Sequence, residues 1–167
     1  HTNDNFKILP GKGDYALYHG KLSVPENFRA AKYLIREVFA GIDKTLIIAG
    51  MNPPEELIKT AEKLSNIRLI ANPDDEAMFR LIREAQINIL ITFQATGLKL
   101  KLLNTLYKGR FCLVNPAMVK GTGLENLCTV ADGSNELKRR IHDLFEREFN
   151  LSEIESRRNI LQENYSN

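Results

Sequence analysis

Histidine and cysteine are scarce in this chain, three and two residues out of 167, and none is spaced to hold a metal. His1, His19 and His142 are scattered, and no His or Cys pair has the separation a zinc centre uses. Cys112 and Cys128 each sit in a short apolar run, the setting of reduced core thiols in a cytosolic protein, so no disulfide is expected. No apolar run approaches the roughly twenty residues that span a bilayer, and the N-terminus lacks a signal-peptide pattern. A soluble, cytoplasmic chain is the resulting expectation. Charge of one sign is also missing: 23 Lys and Arg balance 21 Asp and Glu, a formal net charge of +2. With no basic run interleaved with aromatics, a nucleic-acid surface is excluded and any anion recognition must be local. Three catalytic signatures are absent as well. There is no Gly-x-Ser-x-Gly elbow, no G-x-G-x-x-G after the first strand and no Walker lysine, which argues against a serine hydrolase, a dinucleotide dehydrogenase and a P-loop enzyme.

What is present is ordinary globular material, 43% hydrophobic and 26% charged, enough for one domain with a real core. Residues 1–13 are polar and punctuated by Pro10, Gly11 and Gly13, and read as a linker. Residues 14–150 alternate strand and helix. Apolar runs at Tyr15–His19, Thr45–Ala49, Ile67–Ile70, Ile87–Thr92, Phe111–Val114 and Leu127–Val130 predict six strands. Between them, helical periods run through Phe28, Ala31, Leu34, Ile35 and Val38, through Leu57, Ala61 and Leu64, and through Met78, Leu81, Ile82 and Ala85. Pro53 and Pro54 open the second of these helices, Asn72-Pro73-Asp74-Asp75-Glu76 caps the third, and Ser134 is read as the cap of a later one. A final helix begins at Leu151. Strands without two-residue alternation, separated by helices, predict an α/β fold: a doubly wound parallel sheet of about six strands with helices on both faces, Rossmann-like. Ligands of such folds sit beyond the carboxyl ends of the strands, where the loops after Ala49, Ile70, Thr92 and Val114 converge.

The most informative stretch runs from Thr96 to Arg110. At 100° per residue Gly97, Lys101, Asn104 and Lys108 share one stripe, while Leu98, Leu100, Leu102, Leu103 and Leu106 cover much of the remaining circumference. The stripe should face a cleft, and a lysine there needs an anion. Free N–H groups and the helix dipole around Gly97 favour the same partner. Lys99 points about 200° away from Lys101 round the axis, so the two cannot serve one phosphate. The plainer alternative has Lys101 snorkelling to solvent and Asn104 bonding a loop carbonyl. Lys21, after the first strand, is a second phosphate candidate or a solvated loop lysine. Gly121 and Gly123 offer N–H groups to a phosphate or simply make a turn.

The order of these motifs resembles the C-terminal, donor-binding half of GT-B glycosyltransferases of the large retaining family that includes many bacterial mannosyl- and glucosyltransferases. The likeness runs from about Tyr15 to the end. It rests on Tyr18-His19-Gly20-Lys21-Leu22 followed by Pro25-Glu26-Asn27, on Leu46-Ile47-Ile48-Ala49-Gly50, on Gly97 to Arg110, and on Gly121-Thr122-Gly123-Leu124-Glu125. The resemblance implies transfer of a sugar from a nucleoside-diphosphate sugar, with retention, to a glycan or lipid-linked acceptor. No metal or other cofactor is implied, because basic residues and helix N-termini carry the leaving-group charge. Carried over by position, Lys21, Gly97 and Lys101 bind the donor diphosphate. Asn104 and Asn72 serve the ribose and nucleoside, and Thr96, Gly121 and Gly123 are weaker contributors. The implied partner is the protein's own N-terminal acceptor domain, reached through the 1–13 linker and packed by the 151–167 helix, whose Leu151, Ile154, Ile160 and Leu161 should then form an exposed apolar strip. Polysaccharide synthesis at the inner face of a membrane is the implied setting.

Four departures stand out. Lys21 replaces an arginine, Asn27 a lysine, and Thr96 and Asn104 two glutamates eight apart. A neutral, shorter Asn104 can still bond a ribose hydroxyl. The rival reading is a non-catalytic nucleotide-sugar-binding or interaction module with a degenerate site. A receiver-like domain is excluded, since it needs carboxylates where His19-Gly20-Lys21 stands.

Overall fold

The computed structural model describes residues 6–94 and 100–165. Its sheet has six parallel strands in the order β3-β2-β1-β4-β5-β6. They are β1 (Ala16–His19), β2 (Leu46–Gly50), β3 (Ile67–Ala71), β4 (Ile87–Leu90), β5 (Phe111–Val114) and β6 (Thr129–Val130). The helices are α1 (Pro25–Tyr33), α2 (Glu55–Glu62), α3 (Asp75–Glu84), α4 (Leu100–Lys108), the single turn α5 (Pro116–Val119), α6 (Ser134–Phe145) and α7 (Leu151–Tyr165). This is the Rossmann-like α/β fold expected. β1 pairs with both β2 and β4, Leu17 lying opposite Ile47 on one side and Asn88 on the other. The chain reverses its direction of winding there, so a crevice opens beyond His19.

Strands buried on both faces explain the missing alternation. Ala16, Tyr18, Ile48, Ile89 and Leu113 belong to one large core, while Leu17, Ile47 and Ala49 pack with Ile82 and Ala85 of the α3 region in a second. Local signals set several boundaries. Asp74 Oδ1 accepts the Ala77 N–H at 2.8 Å and caps α3, and Pro54 is the N-cap of α2. Ser134, by contrast, does not cap α6. Gly133 holds that position at φ +88°, and Glu136 reaches back to accept the Asp132 N–H at 3.0 Å. The sixth strand is also shorter than its apolar run, because a 3-10 turn takes up Glu125–Leu127.

The stretch read as a linker is packed over its described part. Phe6 meets Tyr107 edge-on at 6.0 Å, Lys7 N–H bonds the Tyr107 carbonyl, and Gly11 forms an antiparallel bridge with Phe149. The exposed strip expected on the last helix is not there as drawn. Ile154 and Leu161 are buried against this domain, Ile160 is half-buried, and among the described side chains of this helix Leu151, 72% exposed, is the large apolar one in the open. The cause is Arg157, which occupies the same helical face, three residues beyond Ile154 and four before Leu161. Its guanidinium is buried and donates to the carbonyls of Leu106, Gly109 and Arg110.

Candidate functional site

The crevice is built from the end of β1, the turn into α1, the end of β4 and the first turn of α4. β1 ends at His19, and Gly20 N–H continues the ladder to the Ala49 carbonyl at 3.2 Å. Leu22 N–H then bonds the Met51 carbonyl, so the turn rides along β2 before Pro25 starts α1. This works because Gly50 is a glycine: a Cβ there would overlap the Gly20 carbonyl oxygen. Asn27 fixes the turn from inside. Its Nδ2 donates to the Lys21 carbonyl at 3.0 Å, and its Oδ1 accepts the Tyr18 hydroxyl at 3.3 Å.

Lys101 lies across this turn. Its Nζ sits 4.7 Å from the centre of the Tyr18 ring, and a Cβ on Gly20 would stand 3.0 Å from it. Burial pushes the ammonium down to about 8, opposed by the Glu26 carboxylate. Glu26, in the first turn of α1, accepts the Thr92 hydroxyl at 2.6 Å. Thr92 is held in turn by Asn115 at the end of β5, whose Nδ2 donates to the Thr92 carbonyl at 2.7 Å and whose Oδ1 accepts the Thr92 N–H at 3.2 Å. The ends of β4 and β5 are thus tied to the first turn of α1 through one chain of polar contacts, from Asn115 through Thr92 to Glu26, whose carboxylate acts on Lys101.

His19 is the other inward group. It is 8% exposed, its Nε2 has no hydrogen-bond partner, and its pKa falls to about 3 through burial first and then the charges of Lys101 and Lys108. Such a histidine is neutral when folded at pH 7 but takes up a proton in the unfolded chain below about pH 6.5. Stability should therefore fall as pH drops from about 6.5 towards 3. Denaturant unfolding of wild type and His19→Phe over that range tests this: the variant should lose less, and identical pH profiles would refute it.

The residues singled out from sequence are not all brought together. Lys101 is at the crevice, and Lys21 stands exposed in the adjoining turn. Asn104 is exposed one turn further along α4. Thr96 and Gly97 lie outside the described residues. Lys108, on the same stripe, turns to α3 and rests 5.2 Å over the Phe79 ring. Leu100, expected to be covered, is 66% exposed because it faces outward at the start of α4. Asn72 follows β3 at φ +54° and its Oδ1 accepts the N–H of Asn52, itself at φ +54°, at 2.8 Å. Gly121 (φ +76°) and Gly123 (φ +73°) form a turn in which the Thr122 hydroxyl donates to the Val119 carbonyl and accepts the Leu124 N–H. Glu26, Thr92, Asn115 and Tyr18 were not singled out. Glu26 beside Pro25 was visible as a first-turn carboxylate, whereas the roles of Thr92 and Asn115 depend on strand order.

A cavity of about 340 Å³ lies elsewhere, beside β5, β6 and α7, lined by Cys112, Cys128, Arg147, Glu153 and Arg157 among others. Its charges are already engaged: Arg147 pairs with Glu153 at 2.9 Å and Arg157 serves three carbonyls. Burial pushes the Cys112 thiol up to about 11 and Cys128 higher still. Among the described residues no cluster of three or more His, Cys, Asp or Glu is gathered to hold a metal, and no helix is long and apolar enough to cross a membrane.

The strand order defines a Rossmann-like α/β domain, with Lys101 and Glu26 at the strand-order reversal. No family model and no curated protein sequence matches the chain. Solved structures do. The chain is similar to WaaG, a glycosyltransferase involved in lipopolysaccharide biosynthesis, at 15% identity and a TM-score of 0.67, over 98% of this chain and 46% of that one. A glycosyltransferase from Rickettsia africae matches at 12% identity and 0.67, over 92% and 44%. A UDP-forming α,α-trehalose-phosphate synthase from Burkholderia xenovorans matches at 12% and 0.63, over 93% and 40%. The chain therefore spans less than half the length of each, and at these identities the likeness is one of fold: that of a GT-B half, consistent with the C-terminal one.

Proposed function

We propose that this chain is the donor-binding domain of a glycosyltransferase that moves a sugar from a nucleoside-diphosphate sugar to a glycan or lipid-linked acceptor with retention. The observation that carries the reading is Lys101, a half-buried lysine whose ammonium is laid over Tyr18 and Gly20 where the strand order reverses. A cation at that place and depth has an anion as its natural ligand. In this reading Lys101, Lys21 and the backbone at Gly97 carry the diphosphate, and Asn104 and Asn72 meet the ribose and nucleoside. The N–H groups at Gly121 and Gly123, and Thr96, are weaker contributors. Leaving-group charge is then carried by protein cations and needs no metal. The acceptor is held by a separate N-terminal domain, and the chemistry takes place between the two, on the cytoplasmic side of a membrane.

The neutral Asn104 favours a second reading, an interaction module whose donor site has degenerated. Calorimetry with UDP, GDP and ADP separates the two. On the donor-binding reading at least one binds, and Lys101→Ala weakens it by about 10- to 100-fold, the worth of a charge-assisted hydrogen bond. Affinity should also fall as pH rises above about 8, where the free lysine loses the proton that the complex needs, and this slope should vanish in Lys101→Ala. Unchanged affinity in the variant would remove Lys101 from the phosphate role. Failure of all three nucleotides at millimolar concentration, with a stable complex to a partner protein, would favour the module.

A further inference from the structure

We propose that His19 is a ligand-contacting residue of this crevice, its Nε2–H donating to a phosphate oxygen of the nucleoside diphosphate that Lys101 takes up. The inference rests on the donor-binding reading above and adds to it a group that has no structural task. Leaving a buried polar atom without a partner is costly, and native folds keep few of them. His19 Nε2 is one of two such side-chain atoms among the described residues, and it belongs to the last residue of β1, next to the turn that Lys101 crosses. The imidazole packs no helix cap and closes no loop through that nitrogen.

Its surroundings select the ligand. The charges that act on it are the ammonium groups of Lys101 and Lys108, so the local potential is positive. A neutral imidazole adds a hydrogen-bond donor there without adding a further repelling charge, and an anionic oxygen is the acceptor that it and Lys101 both favour. The part of the packing able to give way is the Lys101 side chain, a flexible stem folded over Gly20 and Tyr18. Taking up an anion draws its head group away from that seat and uncovers the end of β1.

The test is imidazole ¹H–¹⁵N spectroscopy of the 167-residue chain with UDP, GDP and ADP, paired with calorimetry on His19→Phe and His19→Gln. Binding should move the His19 ring signals, hold Nε2 in its protonated tautomer and slow exchange of its proton. His19→Phe should weaken binding about tenfold, and His19→Gln, which keeps a donor, should stay within about threefold of wild type. If a diphosphate binds while the His19 signals stay still, or His19→Phe binds like wild type, His19 is out and the Lys101 site stands. Binding of none of the three overturns both. Should His19→Phe fail to fold, the wild-type spectrum decides by itself.

Discussion

Gly50→Ala should cost more than about 3 kcal/mol of stability and abolish nucleotide binding together, an effect beyond the usual 1–3 kcal/mol of an overpacked core. A methyl group there would overlap the Gly20 carbonyl oxygen, and Leu22 Cγ is 3.1 Å away on the same side. Neither neighbour is a free side-chain end. Gly20 is held by its N–H bond to Ala49, Leu22 by its bond to Met51, and Leu22 is fully buried. Relief therefore means displacing the β1–α1 turn, which carries the seat of Lys101. Gly133→Ala is the matched control. It has a positive φ but open space around it, so it should cost about 1 kcal/mol in backbone strain and leave binding intact. Urea unfolding and UDP calorimetry on both variants measure this, and a Gly50→Ala protein as stable as Gly133→Ala would refute the close-approach argument.

Arg157→Ala should lose about 3–5 kcal/mol, as expected when buried carbonyls lose a charged partner. Arg157 is 4% exposed, stacks 4.6 Å over the Phe149 ring and bonds the carbonyls of Leu106, Gly109 and Arg110. Those carbonyls belong to the last turn of α4 and the step into β5, where a helix leaves acceptors unpaired and favours a cation. One side chain thus caps α4 and fastens α7 to it. Arg157→Lys should recover only part of the loss, because an ammonium cannot fork to three acceptors in a plane. Urea midpoints give the answer, and a shift worth less than 1 kcal/mol for Arg157→Ala would show that the cap is dispensable.

Much of this fold was legible in the sequence because its strands are short apolar runs closed by glycine, proline or capping residues. β5 was read at Phe111–Val114 and found there. Strand order was not legible, since the pairing of β1 with β4 is set by packing between segments about seventy residues apart. The site divides along the same line. Lys101 followed from helical spacing within one segment. The Asn115–Thr92–Glu26 chain joins three segments and has no local pattern. The exposed strip expected on α7 came from the resemblance, and no local pattern shows that Arg157 spends its charge on helix-end carbonyls while the apolar face turns inward with it.

The asparagine pair beside the crevice has a chemical consequence. Asn52 and Asn72 both hold left-handed corners, at the ends of β2 and β3, and are joined through an amide oxygen. Each is followed by a proline, Pro53 and Pro73. Asparagine ages when the next backbone nitrogen attacks its side-chain carbonyl and closes a succinimide, and a proline nitrogen has no hydrogen to give up in that closure. The two corners are therefore closed to this route of deamidation, and the rim they form keeps its uncharged amides with age.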